Sequence, residues 1–304
     1  MDLVFLGTPA FAVPSLERTV AAGHRVMAVY TQPDRPKGRG QREAMPPVKE
    51  AALRLGLPVH QPERVRKPEA IEELRAMKPD AMIVVGYGQI IPQAILDIPP
   101  MGIINVHASL LPKYRGAAPI QWAIARGESR TGVTTMKIDA GLDTGDMLLK
   151  WETEIGAEET AVELGERLAI AGADLLVRTL ETLPSIKPEP QDNAQATYAP
   201  ILKKEDGHID WSMPRQEILN RIRGLVPWPG CYGFLRDARM HVWKARANDS
   251  PIPPGELRSD RRKLFAGCSD GSIEILELQL EGKKRMDAAS FLNGFQLQTG
   301  EMLA

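Results

Sequence analysis

The chain has 304 residues, of which 43% are hydrophobic and 25% charged, with a formal net charge of −1. That length suits two domains with separate cores, the composition excludes long disorder, and the near-zero charge leaves any polyanion to be held by local basic patches. Cys231 and Cys268 are the only cysteines, which excludes a disulfide framework and structural zinc.

The opening Met1–Gly7 has no basic leader and no long apolar segment, so it reads as the first strand of a cytoplasmic protein with no membrane span. Leu3–Leu6 ends at Gly7-Thr8-Pro9, and Ala10–Ala22 has a helical pattern closed by Gly23. Strand, glycine turn and helix begin a doubly wound α/β domain, which binds ligands beyond the carboxyl ends of its strands. Gly7 stands alone, so the dinucleotide fingerprint is missing. After a second strand, His24–Tyr30, the loop Thr31–Gln41 alternates Arg35, Lys37 and Arg39 with Pro33, Pro36, Gly38 and Gly40, and Arg42 follows. Proline and glycine predict no regular structure here. Two readings stay open, a solvated surface loop or a mobile basic finger for a phosphate backbone.

Val48–Leu55 and the segment from Pro68 to Met77 carry helical spacing, and Leu57–His60 suggests a short strand. Asp80–Val85 is a near-continuous apolar run, as in a strand covered on both faces of a parallel sheet. It ends in Gly86-Tyr87-Gly88-Gln89, where two glycines let backbone groups approach a ligand closely. Gly102–Ile104 starts another such strand and leads into Asn105-Val106-His107. Residues i and i+2 of a strand share a face, so the Asn105 amide and the His107 imidazole point the same way. Together they can donate to one developing oxyanion, or one donates while the other moves a proton. Ser109–Pro112 leaves as a loop, Arg115-Gly116 turns, and Pro119 opens a helix. Thr131–Asp139 alternates like a half-buried strand, and the turn-rich Asp139–Asp146 returns into Met147–Trp151. The three aspartates of that turn do not fit a calcium loop. The expectation is no metal, with one aspartate approaching His107 and fixing the orientation of its ring.

Asn105-Val106-His107, Ser109–Pro112 and Leu142-Asp143-Thr144-Gly145, in this order, resemble the signature of the folate-dependent formyltransferases. Gln32–Gly40 and Arg115–Pro119 narrow the resemblance to members that formylate charged initiator tRNA. The resemblance implies a Rossmann-like formyltransferase domain with a mostly parallel sheet, and Asn105, His107 and Asp143 as the catalytic set. It implies 10-formyltetrahydrofolate as co-substrate, contacted by Ser109, Leu110, Leu111 and Pro112, by the backbone of Gly86, Tyr87, Gly88, Gln89, Ile90 and Ile91, and by the Asp139–Asp143 turn. Arg39 would probe the tRNA acceptor stem, with Arg35, Lys37 and Arg42 beside it.

Glu158–Leu183 is a long helical pattern with acids in its first turn, and Lys187–Ala196 is polar and proline-containing, as in a linker. From Ile209 onward short alternating segments suit a small β-barrel, which the resemblance makes an OB-like one. Lys203, Lys204 and Lys283-Lys284-Arg285 stand either as tRNA contacts or as a solvated face. The expected organisation is a catalytic domain over 1–186, a linker over 187–208 and a tRNA-binding barrel over 209–304, in a monomer. Transfer to a sugar nucleotide or to glycinamide ribonucleotide, and a non-catalytic nucleic-acid-binding role, are the alternatives.

Overall fold

A computed structural model describes residues 1–37 and 42–304. By proximity the chain divides into two compact units, one made of 1–116, 131–153 and 165–198, the other of 117–130, 154–164 and 199–304.

The first unit is built on a seven-stranded sheet. Its strands are β1 (Asp2–Gly7), β2 (Arg25–Tyr30), β3 (Val59–His60), β4 (Ala81–Val85), β5 (Ile103–His107), β6 (Arg130–Lys137) and β7 (Met147–Glu154). They lie in the order β7-β6-β5-β4-β1-β2-β3. The strands from β3 to β5 are parallel neighbours, and β6 runs antiparallel to β5. Every residue of β4 is buried, the signature expected of a strand with both faces covered. The chain builds outward from β1 on one side and then crosses to the other through β4, so β1 and β4 flank the topological switch point. Their carboxyl ends meet closely. The Thr8 hydroxyl donates to the Tyr87 carbonyl at 3.0 Å, and a Cβ on Gly86 would come within 2.9 Å of Pro9. The helix Ala161–Thr182, a little shorter than its sequence pattern, lies over β5 and β6. Gly172 permits this approach, since a Cβ there would meet Val106 at 2.9 Å, and Thr179 shares a 2.8 Å hydrogen bond with Thr135.

The basic segment corrects the expectation of irregular structure. Arg35–Lys37 pairs antiparallel with Arg42–Ala44, with Pro36 opposite Glu43. A two-stranded ribbon is all edge, so the missing N–H of a proline costs it no ladder bond that a third strand would need. No helix among the described residues is long and apolar enough to cross a membrane.

The second unit holds an antiparallel sheet of β8 (Cys231–Leu235), β9 (Ala238–Asn248), β10 (Leu257–Asp260), β11 (Lys263–Cys268), β12 (Gly271–Leu280) and β13 (Met286–Asp287). The path is β8-β9-β12-β11-β10, with β13 added on β12. The last residues join the two outer strands. Leu303 bridges Leu235 beside β8 while Met302 bridges Glu256 beside β10, and the Phe234 and Ala304 backbones exchange hydrogen bonds of 2.7 and 2.9 Å. The tail thereby links the two outer strands of the antiparallel sheet, in line with the small barrel the sequence pattern suggested. Alternate residues Met240 and Val242 on β9, Ile273 and Ile275 on β12, and Leu264 and Ala266 on β11 fill one core with Leu303. The helices Pro119–Ala125 and Arg215–Gly224 pack against each other in the same unit, where a Cβ on Gly224 would lie 2.8 Å from the Ala125 nitrogen. Leu303 is both a core residue and part of the tail that links the outer strands. Leu303→Ala is therefore expected to cost about 3 kcal/mol in urea unfolding, within the range for large-to-small core changes. A loss below about 1 kcal/mol would show that the tail does not hold the outer strands together.

Candidate active site

Asn105 and His107 close the carboxyl end of β5, next to the switch point. Asn105 lies opposite Val84 on one side and Met136 on the other, and His107 lies opposite Thr134. His107 is buried, whereas Asn105 is half-buried and its amide has no hydrogen-bond partner among the described residues. An amide left free at a partly open strand end can turn its N–H groups toward a ligand.

The His107 ring is fixed by the backbone. Its Nε2 lies 2.9 Å from the Tyr114 carbonyl oxygen. A carbonyl only accepts, so Nε2 carries a proton, and Nδ1 is the nitrogen that can gain or release one. Nδ1 faces the Asp143 carboxylate at 3.7 Å. This separation allows charge pairing but is too long for a direct hydrogen bond. The sequence reading had the aspartate orienting the ring. The Tyr114 carbonyl does that instead, and the carboxylate stands where it compensates a positive charge on Nδ1.

The loop that supplies this carbonyl is held from several sides. The Ser109 hydroxyl donates to the Lys113 carbonyl at 2.6 Å. Thr134, on the neighbouring strand, donates to the Ser109 carbonyl at 2.7 Å and accepts from the Leu111 nitrogen at 3.2 Å. The Tyr114 nitrogen donates to Thr197 at 2.9 Å. Tyr114 itself has a φ of 60°, uncommon for a bulky side chain and a mark of a conformation imposed by its surroundings.

Asp143 sits in the Asp139–Asp146 turn, also left-handed with a φ of 51°, which aspartate tolerates better than most residues. Its Oδ2 accepts from the Gly116 nitrogen at 2.8 Å, so one oxygen serves both the loop and His107. Asp139 accepts from the Gly141 nitrogen at 3.0 Å and from the Thr144 hydroxyl at 2.7 Å, which closes the turn on itself. Its carboxylate shapes the turn that presents Asp143.

The residues expected to contact a folate divide into two kinds. Ser109 and Leu111 are buried, and Leu111 packs on Met136 and Met147, so these side chains build the loop while Leu110 and Pro112 are half-buried. Tyr87 is buried, and its carbonyl also accepts from Gln32 at 3.1 Å. Gln89 accepts from the Val65 nitrogen at 2.7 Å, and Ile91 packs on the core. Gly86 and Gly88 are exposed with φ of 57° and 82°. Ile90 and Leu142, in the two loops that flank the end of β5, are 87% and 62% exposed. Two uncovered apolar side chains beside a free amide and a buried imidazole suit a flat, partly apolar ligand with a polar reacting end.

Among the basic residues, Arg35 is exposed at the start of the ribbon, and Lys203 and Lys204 are exposed in the second unit. For Lys37 and Arg42 the backbone alone is described, and Arg39 lies outside the described residues. Sequence reasoning missed Tyr114, Thr134 and Gln191. A backbone carbonyl belongs to every residue type and leaves no letter, so only the fold reveals the first. Gln191 sat in a stretch whose polar composition read as linker.

A Rossmann-like sheet followed by an antiparallel-sheet domain is the frame of this chain, and the chain belongs to the formyl transferase family. Residues 1–180 match the family model for formyl transferase and residues 201–296 that for its C-terminal domain. The chain is 61% identical over 308 residues to the methionyl-tRNA formyltransferase of Solibacter usitatus, covering 100% of this chain and 98% of that protein. It is 58% identical over 307 residues to the methionyl-tRNA formyltransferase of Koribacter versatilis, again covering 100% of this chain and 98% of the relative. The fold also matches, with a TM-score of 0.67 and 19% identity, an N-formyltransferase from Helicobacter canadensis in complex with folinic acid and dTDP-3-aminofucose, over 93% of this chain and 99% of that one.

Proposed function

We propose that this protein transfers the formyl group of 10-formyltetrahydrofolate to the α-amino group of methionine on charged initiator tRNA. The observation that carries this reading is identity of 61% to a methionyl-tRNA formyltransferase along the whole chain, both domains included. The donor supplies a formyl carbon already activated toward amines. The end of β5 and the loops that flank it fit such a group, since Ile90 and Leu142 in those loops offer apolar cover and the Asn105 amide is free to donate.

The chemistry left to the protein is charge stabilisation and proton movement. Negative charge grows on the formyl oxygen as the amine adds, and the Asn105 N–H donates to it. His107 donates through Nδ1, the nitrogen not engaged by Tyr114, and the imidazolium form is the one that can do so. Asp143 compensates that positive charge, receives the proton shed by the attacking nitrogen, directly or through water, and passes it to the folate nitrogen as the oxyanion collapses, the bond from the formyl carbon to that nitrogen breaks and tetrahydrofolate leaves. Tyr114 keeps the ring from rotating out of this geometry. Arg39, together with Arg35, Lys37 and Arg42, meets the tRNA phosphates, in a cytoplasmic, monomeric enzyme.

The test is a side-by-side acceptor assay with 10-formyltetrahydrofolate and charged initiator tRNA, glycinamide ribonucleotide or a dTDP-amino sugar. Formylation of the tRNA at a kcat/KM at least about 100-fold above the others is expected, since a site built around one acceptor leaves polar groups unpaired with another. Preference for either small acceptor would overturn the assignment. Arg39→Ala should raise KM for the charged tRNA, flatten its salt dependence and leave the donor KM unchanged. An unchanged salt dependence would remove the finger from tRNA binding.

A further inference from the structure

We infer that Gln191 is a positioning residue, which holds Asp143 at its working distance from His107 by clamping the turn that carries it. The inference rests on the proposed roles of His107 and Asp143. Gln191 spends its whole amide on two segments far away in sequence. Its Nε2 donates to the Asp143 carbonyl at 2.8 Å and to the Gly145 carbonyl at 2.7 Å. Its Oε1 accepts from the Arg115 Nε at 2.9 Å.

Arg115 explains why an amide stands there. Arg115 is only 2% exposed, and the partners of its guanidinium among the described residues are two neutral amides, since it also donates to the Asn193 Oδ1 at 2.9 Å. A buried cation without a carboxylate partner has to be satisfied by dipoles. Those dipoles come from 191 and 193, a segment tied down on either side, because Glu189 pairs with Met147 and the Thr197 carbonyl accepts from the Arg115 nitrogen at 2.9 Å.

The bonds close a ring. Gly116, next to Arg115 in the chain, donates to the Asp143 carboxylate, while the Asp143 carbonyl accepts from Gln191, which accepts from Arg115. The side chain and the backbone of Asp143 are thus fixed by the same two-residue stretch, one directly and one through Gln191. That stretch follows Tyr114, whose carbonyl holds His107. Both partners of the 3.7 Å pair are referenced to one piece of backbone, and Gln191 is the link that an uncharged side-chain change can cut.

Steady-state formyl transfer by Gln191→Ala, Gln191→Glu, Asp143→Asn and the Asp143→Asn/Gln191→Ala pair decides the matter. Gln191→Ala should lower kcat about 100-fold, the scale of a displacement of about 1 Å in a catalytic group, with both KM values within about threefold. Gln191→Glu still accepts from Arg115 but sets carboxylate oxygens against two carbonyl oxygens, so it should be no better than alanine. In the Asp143→Asn background, loss of Gln191 should cost less than about threefold more, since residues that act as a unit are non-additive. Losses that multiply would make Gln191 a merely structural residue and overturn the inference. A normal Gln191→Ala beside an impaired Asp143→Asn would refute the clamp alone, whereas a normal Asp143→Asn would refute the site reading and the clamp with it. If the alanine protein does not fold, the same cycle run with Gln191→Glu separates these outcomes.

Discussion

His107→Ala should lower kcat for formyl transfer about 1000-fold, or about 4 kcal/mol in barrier height, with both KM values changed less than about threefold. The reasoning starts from the ring's two nitrogens. Nε2 is committed to the Tyr114 carbonyl, so its loss alone would free one backbone acceptor. Nδ1 is the group that meets developing charge, and its contribution appears only as that charge forms. An interaction made mainly in the transition state lowers kcat and leaves substrate binding alone. Asn105→Ala removes a donor without a charge behind it and should cost about 100-fold by the same measurement. Its amide has no other partner to lose among the described residues, so the fold should not register the change. Urea unfolding run beside the kinetics checks this. A folded His107→Ala protein within about fivefold of wild type would remove the imidazole from the chemistry.

The second large effect is at Gly145. A Cβ there would overlap the Lys137 carbonyl oxygen and lie 2.9 Å from the Lys137 carbonyl carbon. Both are backbone atoms of β6, so nothing flexible can yield. The turn must move instead, and it carries Asp143 two residues away and the carbonyl that Gln191 binds. Gly145→Ala should therefore lower kcat about 100-fold, because a displacement near 1 Å in a catalytic group is enough. It should also destabilise the protein by about 2 kcal/mol, as overpacking against fixed atoms does. Kinetics and urea unfolding on the same preparation read both. Wild-type turnover would show that the turn tolerates displacement, so that Asp143 need not be held.

Much of this was legible in the letters. The apolar run before Gly86 marked a strand buried on both faces, and the i, i+2 spacing put Asn105 and His107 on one face, because strand geometry has a strict period of two. The order of three separated motifs gave the family. Other features had no letters to announce them. Tyr114 adopts a left-handed conformation that its side chain disfavours, imposed by the loop around it. Gln191 looked like linker because composition reports solvent affinity, while its amide meets groups more than forty residues away in the chain. The pairing of Arg35–Lys37 with Arg42–Ala44 reversed an inference from proline and glycine content, since a two-stranded ribbon asks little of its edges. The link that Met302 and Leu303 make between the outer strands depends on two residues, too few to show alternation.

The site as a whole depends on which nitrogen of His107 is engaged by the backbone. Nitrogen-15 NMR of imidazole-labelled protein, with His107 assigned by comparison with His107→Ala, reads this directly. The neutral ring should carry its proton on Nε2 and leave Nδ1 bare. A neutral ring protonated on Nδ1 would mean that the Tyr114 carbonyl does not hold it, and the geometry that aims Nδ1 at Asp143 and the reacting oxygen would be wrong.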